Sequence, residues 1–124
     1  MTNLEVKGLL ECLDEFTQAN TSLSPQSWFT LSKNRKALVL ADKDIESARI
    51  ELVKKHGEKV NGSDEVAVTP NNIDSFKKEY AELLTLTSTL SLSKLKLIDL
   101  ESNMPTLKGV KNIYLFFDYM TKEK

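Results

Sequence analysis

A seven-residue stripe constrains this chain more than any other feature in it. Leu31, Leu38, Ile45 and Leu52 recur at intervals of seven, and Asn34, Ala41, Ala48 and Lys55 stand three places after each. An α-helix turns once in about 3.6 residues, so both sets fall on one side of it. Large residues at one seam position and small or polar ones at the other suit a helix that lies close against partner helices, as in a coiled coil. The stripe is architectural, and it leaves open whether the partners belong to this chain or to another.

The helix that carries the stripe has readable ends. Ser24 is suited to cap the first turn, and Pro25 to the first helical position, where a missing N–H costs nothing. Lys54, Lys55 and His56 place positive charge in the last turn, and Gly57 is suited to the left-handed position that follows a helix. If unbroken, the helix is about 48 Å long at 1.5 Å per residue, more than a globule of 124 residues needs. It must project or be covered by other helices laid along it. A break near Thr30 to Ser32 is the alternative.

Other elements follow from periodicity. Val6, Leu9, Leu10, Leu13 and Phe16 make one face of a helix over Leu4 to Ala19, which Gly8 weakens by roughly 1 kcal/mol. Asn20, Thr21 and Ser22 read as a loop. Asn61-Gly62 favours a tight turn, predicting a short hairpin of Lys59–Val60 against part of Glu65–Val68. Ile73, Phe76, Tyr80, Leu83 and Leu84 predict a helix over Ile73 to Leu84, with Asn72 as its cap. The threonines and serines that alternate with leucine over Thr85 to Ser93 predict a strand that pairs with Glu65–Val68. A last helix is expected from about Pro105 to Met120. The fold class expected is α+β, mostly helical. Its long helix lies in an antiparallel helical hairpin or bundle with a small β-hairpin or sheet, in a single domain over residues 1–124.

Several function classes are weakened. Net charge is −1, so no global field attracts nucleic acid or an anionic membrane. No apolar run approaches the roughly 20 residues needed to cross a bilayer. Met1 to Val6 carries Glu5 and does not resemble a signal peptide. Cytosolic residence is expected. Cys12 is the lone cysteine, so neither a disulfide within the chain nor a cysteine zinc cluster can form. It falls among leucines and reads as a small core residue. His56, the lone histidine, reads as a charge that complements a helix C-terminus. The glycines are isolated, and no phosphate loop, nucleophile elbow or HExxH motif occurs. Glu11, Asp14 and Glu15, and likewise Asp42, Asp44 and Glu46, read as solvated helix faces. No catalytic residue, metal site or cofactor is assigned.

Two surfaces stand out as candidates for contact. Four of the nine aromatic side chains lie between Tyr114 and Tyr119, and a helix apolar on more than one face needs cover on more than one side. Tyr114, Phe116, Phe117, Tyr119 and Met120 are therefore a candidate interface, which a protein partner or a second copy of the chain would cover; the alternative is that Phe116 and Tyr119 complete the chain's own core. The helix seam of Leu31, Leu38, Ala41, Ile45, Ala48 and Leu52 reads as packing inside the domain. Lys33, Arg35 and Lys36, near Trp28 and Phe29, form a weak nucleic-acid candidate, set against the acids that follow on the same helix.

The order of features also resembles a family. Asn34-Arg35-Lys36-Ala37-Leu38, then Ile45 to Lys59 and the Asn61-Gly62 turn, then Phe76 to Leu84, a polar strand and a closing helix after Pro105, are similar to small proteins encoded by bacteriophages and prophages, whose function is unknown. The resemblance covers roughly Leu31 to Met120. It implies a viral origin and a small helical accessory protein, and it assigns no catalytic residue. The function expected is non-enzymatic, through protein–protein contacts as an oligomer, in virion structure or assembly. An early protein that binds a host factor, with or without nucleic-acid contact, is the alternative. Residence in the host cytosol or in the virion follows.

Overall fold

The computed structural model describes residues 1–19, 22–60, 62 and 64–122. Two antiparallel helices open the chain, α1 (Asn3–Ala19) and α2 (Pro25–His56). Salt bridges fix their register. Lys7 in the first half of α1 reaches Asp42 at 2.8 Å and Glu46 at 2.6 Å, while Arg35 in the first half of α2 donates to Asp14 at 2.6 Å. The end signals of α2 are used almost as they read. Ser24 accepts from the backbone N–H of Ser27 at 3.2 Å, and Pro25 opens a helix of 32 residues with no break at Thr30 to Ser32.

α1 has a start signal that periodicity alone misses. Thr2 and Glu5 form a reciprocal capping box. The Thr2 hydroxyl accepts from the Glu5 N–H at 3.1 Å, and the Glu5 carboxylate accepts from the Thr2 N–H at 2.9 Å. Two backbone donors that a helix start would leave unpaired are thereby satisfied. That backbone hydrogen bond from Thr2 is also the main reason the Glu5 carboxyl titrates below its ordinary value.

The length of α2 is explained by what covers it. α3 (Ile73–Thr85) returns along its C-terminal end, with Glu79 beside Lys55 and His56 and Leu83 beside Ile45 and Ala48. α1 begins where α3 ends, since the Asn3 amide donates to the Leu83 carbonyl at 2.9 Å. Helices of 17 and 13 residues, laid end to end, span about 45 Å at 1.5 Å per residue. That nearly matches the length of α2. The long helix is a spine, and two shorter helices run antiparallel to it in series.

The hairpin forms one residue or two earlier than expected. β1 (Gly57–Lys59) pairs antiparallel with β2 (Val66–Val68), Gly57 opposite Val68. The Val60 N–H continues the ladder to Glu65 at 2.9 Å. Gly62 takes φ +77°, as a tight turn needs; Asn61, like Asn20 and Thr21, lies outside the described residues. Gly57 does not take the left-handed conformation expected after a helix. Its φ of −119° and ψ of 172° are extended. Glycine is needed there for another reason. A Cβ would lie 2.5 Å from the Val53 carbonyl oxygen and 2.6 Å from that of Ala67, so the chain passes directly from helix to strand through a gap only hydrogen fits. Asn72 does not cap α3 either. Its amide donates to the His56 carbonyl at 3.3 Å, across to the end of α2.

The polar run Thr85 to Ser93 is not a strand paired with Glu65–Val68. Thr85 closes α3, and the residues after it are irregular, bridged to the N-terminus at Thr2 and Thr87. The Asn3 N–H donates to the Leu86 carbonyl and the Ser88 N–H to the Met1 carbonyl, each at 2.8 Å. The backbone groups of the run are spent on the N-terminus and on Asn34 instead, and β2 pairs with β1 alone among the described residues.

The C-terminal element is also divided. β3 (Leu95–Lys96) leads into a 3₁₀ turn over Leu97–Asn103, and α4 (Met104–Leu107) follows. Asn112, left-handed at φ 61°, then redirects the chain into α5 (Ile113–Met120). β4 (Thr121–Lys122) closes the fold parallel to β3. The single helix expected from Pro105 to Met120 is broken because Gly109 favours turning and Asn112 tolerates positive φ. The break turns α5 back across α1. Phe16 meets Phe116 with ring centroids 5.7 Å apart, and a Cβ on Gly8 would lie 2.9 Å from Leu115 Cδ1. Gly8 therefore marks the crossing of α1 and α5. One cluster of buried residues, drawn from α1, α2, β3 and the C-terminal elements, forms the core.

Candidate functional site

The terminal aromatic surface is the first candidate, and the fold uses most of it. Phe116 and Met120 are fully buried within this chain. Phe117 packs edge-on against Phe116, ring centroids 6.2 Å apart. Tyr119 is half-buried, and its hydroxyl donates to Glu5 at 3.1 Å. Only Tyr114, 61% exposed, faces outward. Phe116 and Met120 are thus corrected from contact to core. The expectation assumed one straight helix short of internal cover; the turn at Asn112 supplies that cover by folding the helix onto α1.

The polar candidates are placed in structural pairings. Cys12 is buried, and burial, with Glu15 nearby, pushes its thiol up to about 12. A thiol in that state is a core methyl-sized group rather than a nucleophile. His56 does end α2, as its sequence position implied, and it also lies 2.7 Å from a Glu79 oxygen. The other Glu79 oxygen accepts from Lys55 at 2.7 Å. Lys55 and then His56 hold the Glu79 carboxyl below its ordinary range. The acids read as solvated faces are partly engaged. Asp42 and Glu46 grip Lys7, and Glu46 also accepts from Arg49 at 2.7 Å. Among the described residues, no group of three or more acids, histidines and cysteines is placed to hold a metal ion.

The seam on α2 divides in two. Leu31, Leu38 and Ile45 are buried, together with Asn34. Asn34 is the one polar member of the stripe in the core, and its side chain acts as a strand partner. Its amide donates to the Ser93 carbonyl at 2.8 Å, and its oxygen accepts from the Ser93 N–H at 2.8 Å. Ala41, Ala48 and Leu52 are only half-buried. They do not sit under a close helix crossing. Ala41 and Ala48 instead floor adjoining depressions beside α3, where Leu83 and Leu86 form the opposite wall. The larger stretch, along Ala48 and Leu52, holds about 580 Å³. Leu86 is 59% exposed at its edge, and Glu51 and Glu82 flank it. The result is an open groove, apolar along Ala48 and Leu52, with Glu51, Glu79, Glu82 and Lys55 as its charged rim.

The opposite side of α2 is the second uncovered surface. Phe29, Leu40 and Ile50 are exposed there, at 70%, 64% and 45%, and Trp28, one residue on from buried Ser27, is 49% exposed on the flank. Lys33 and Lys36 stand among them without an ion pair among the described residues, whereas Arg35 is committed to Asp14. The hydrogen bond from Arg35 to Asp14 raises the guanidinium pKa further still. Of the three basic residues singled out from the sequence, two are thus free to meet an external group. No helix among the described residues is long and apolar enough to cross a membrane. No family model, no curated protein and no solved structure matches this chain.

Proposed function

We propose that this chain is a non-enzymatic protein that works through protein–protein contacts, as a structural or assembly component of a bacteriophage particle. The observation that carries the reading is the apolar surface left open along α2. Along it, Ala48 and Leu52 face Leu83 and Leu86 with Glu51, Glu79, Glu82 and Lys55 at the edge, and the adjoining depression at Ala41 is lined also by Asn3, Thr87, Ser88 and Thr89. Contiguous exposed apolar surface with a polar border is what a protein interface presents before its partner arrives. The viral context rests on the sequence resemblance over Leu31 to Met120. The test is to purify particles from a host infected by a phage that encodes the chain and look for it by mass spectrometry, alongside the variant A48E/L86E. The chain is expected in particles, and the variant is expected to fold, judged by circular dichroism, yet be lost from them. Particles that lack the chain would overturn the reading.

The alternative, an early protein that binds a host factor with nucleic-acid contact, has one observation in its favour. Trp28 and Phe29 are exposed beside Lys33 and Lys36, a pairing of rings and cations suited to single strands. Trp28 is the only tryptophan, so its emission reports on that site directly. Quenching by an oligothymidylate that weakens steeply with salt would favour this second reading.

A further inference from the structure

The outward side of α2 carries a sparser apolar series than the core stripe, at intervals of 11 and 10 residues, with lysines between. Phe29, Leu40 and Ile50 are exposed on it. Lys33, Lys36, Lys43 and Lys54 fill the places between them, and all four are exposed. With Ser47, these residues follow the alternating four-three step of a heptad seam from end to end. They stand two residues on from the buried seam, about 200° around the helix at 3.6 residues per turn. α2 therefore has two sides of different use, one buried by α1 and α3 and one that stays exposed among the described residues.

We propose that this second seam docks an acidic amphipathic helix of a partner protein. The inference rests on the reading that the chain works through protein contacts, and it names the chemistry of one partner. Apolar side chains of the partner would meet Phe29, Leu40 and Ile50, and its carboxylates would stand opposite the lysines. The charge on the seam selects this occupant. Its eight positions hold four lysines and no acid. Lys33, Lys36 and Lys43 have no ion pair among the described residues, and Lys54 has only Glu51 at 3.5 Å. A second copy presenting the same seam would set lysine against lysine, which is disfavoured at seam positions. An anionic bilayer wants the apolar residues on one face and the cations on the other. Here the lysines interrupt the apolar residues along a single line. Nucleic acid would pair with the lysines but offers Leu40 and Ile50 no apolar surface.

The test uses the full chain and a synthetic helix of about 28 residues, long enough at 1.5 Å per residue to span Phe29 to Lys54. One peptide carries leucine and glutamate in the complementary register, and a control replaces each glutamate with lysine. Binding is read by calorimetry and by Trp28 emission. The acidic peptide is expected to bind saturably, more weakly as salt rises, and the basic control not to bind. In the surface variant K36E/K43E the acidic peptide should bind at least about tenfold more weakly, and the basic peptide should now bind. Failure of the acidic peptide to bind would overturn the proposal. So would equal binding of both peptides, or self-association of the unaltered chain through this face. Tighter binding of an oligothymidylate, or of phosphatidylserine vesicles, that is lost in K36E/K43E would overturn it too. None of these results bears on the groove beside α3, whose test is incorporation of A48E/L86E into particles, so the two readings fail separately.

Discussion

Asn34→Leu distinguishes two accounts of the stripe by the sign of its effect. In an intermolecular coiled coil, an asparagine at a seam position sets register at a cost in stability, and leucine there stabilises. In this fold the same side chain holds the Ser93 N–H and C=O, each at 2.8 Å. Leucine would leave both without a partner. An orphaned buried backbone group costs about 1–3 kcal/mol. Ser93 is half-buried, so the lower part of that range applies and the pair costs roughly 3 kcal/mol. The added apolar burial of leucine returns roughly 1 kcal/mol. The net loss is about 2 kcal/mol, or about 8 °C in Tm for a domain of this size. Thermal and urea unfolding of the variant measure it, and hydrogen exchange should show lost protection at Ser93 while α1 stays protected. A variant as stable as the unaltered protein, or one that sediments as a larger species, would refute the assignment of Asn34 to the interior.

Gly57→Ala is expected to lose about 1–3 kcal/mol in urea unfolding, because the new methyl meets two backbone oxygens rather than a movable side chain; full stability would show that the helix-to-strand passage has room. The Lys7 cluster sets an acid limb on stability. Hydrogen bonding from Lys7, then from Arg49, holds the Glu46 carboxyl below its ordinary value of 4.5. A carboxyl lowered on folding contributes stability above its unfolded pKa and loses it as pH falls through the folded one. The urea midpoint should therefore drop as pH falls below about 4.5, and Lys7→Met should flatten that limb; an unchanged limb in the variant would place the pH dependence elsewhere.

The parts of this fold that were legible in the sequence are those set by neighbours within a turn or two. Ser24 and Pro25 act at backbone groups beside them and Lys54, Lys55 and His56 stand in the last turn of α2, so its two ends could be read without tertiary knowledge, although Lys55 and His56 also pair with Glu79 of α3. The hairpin was legible for the same reason, displaced by a residue or two because Gly57 serves close approach rather than left-handed geometry. The capping box of Thr2 and Glu5 was equally local and equally readable. Where a segment had more than one partner to choose from, the pattern misled. Thr85 to Ser93 alternates like a strand, yet its hydrogen bonds go to the N-terminus and to a side chain of α2, both distant along the chain. The closing helix looked short of internal cover because nothing local shows that Asn112 turns it onto α1.

The surfaces follow the same division. Periodicity by itself determined that α2 is a long helix with a heptad seam, because a repeat of seven maps onto one side of any α-helix. It also contained the second seam of Phe29, Leu40, Ile50 and the lysines, since that spacing is written in the residues. Only the tertiary structure decided which seam is spent. α1 and α3 lie in series along one side of α2 and bury Leu31, Leu38 and Ile45, which leaves the other side, and the groove of Ala41 and Ala48, without cover. Burial is a property of the whole assembly of helices, and no stretch of sequence states where the other helices will lie.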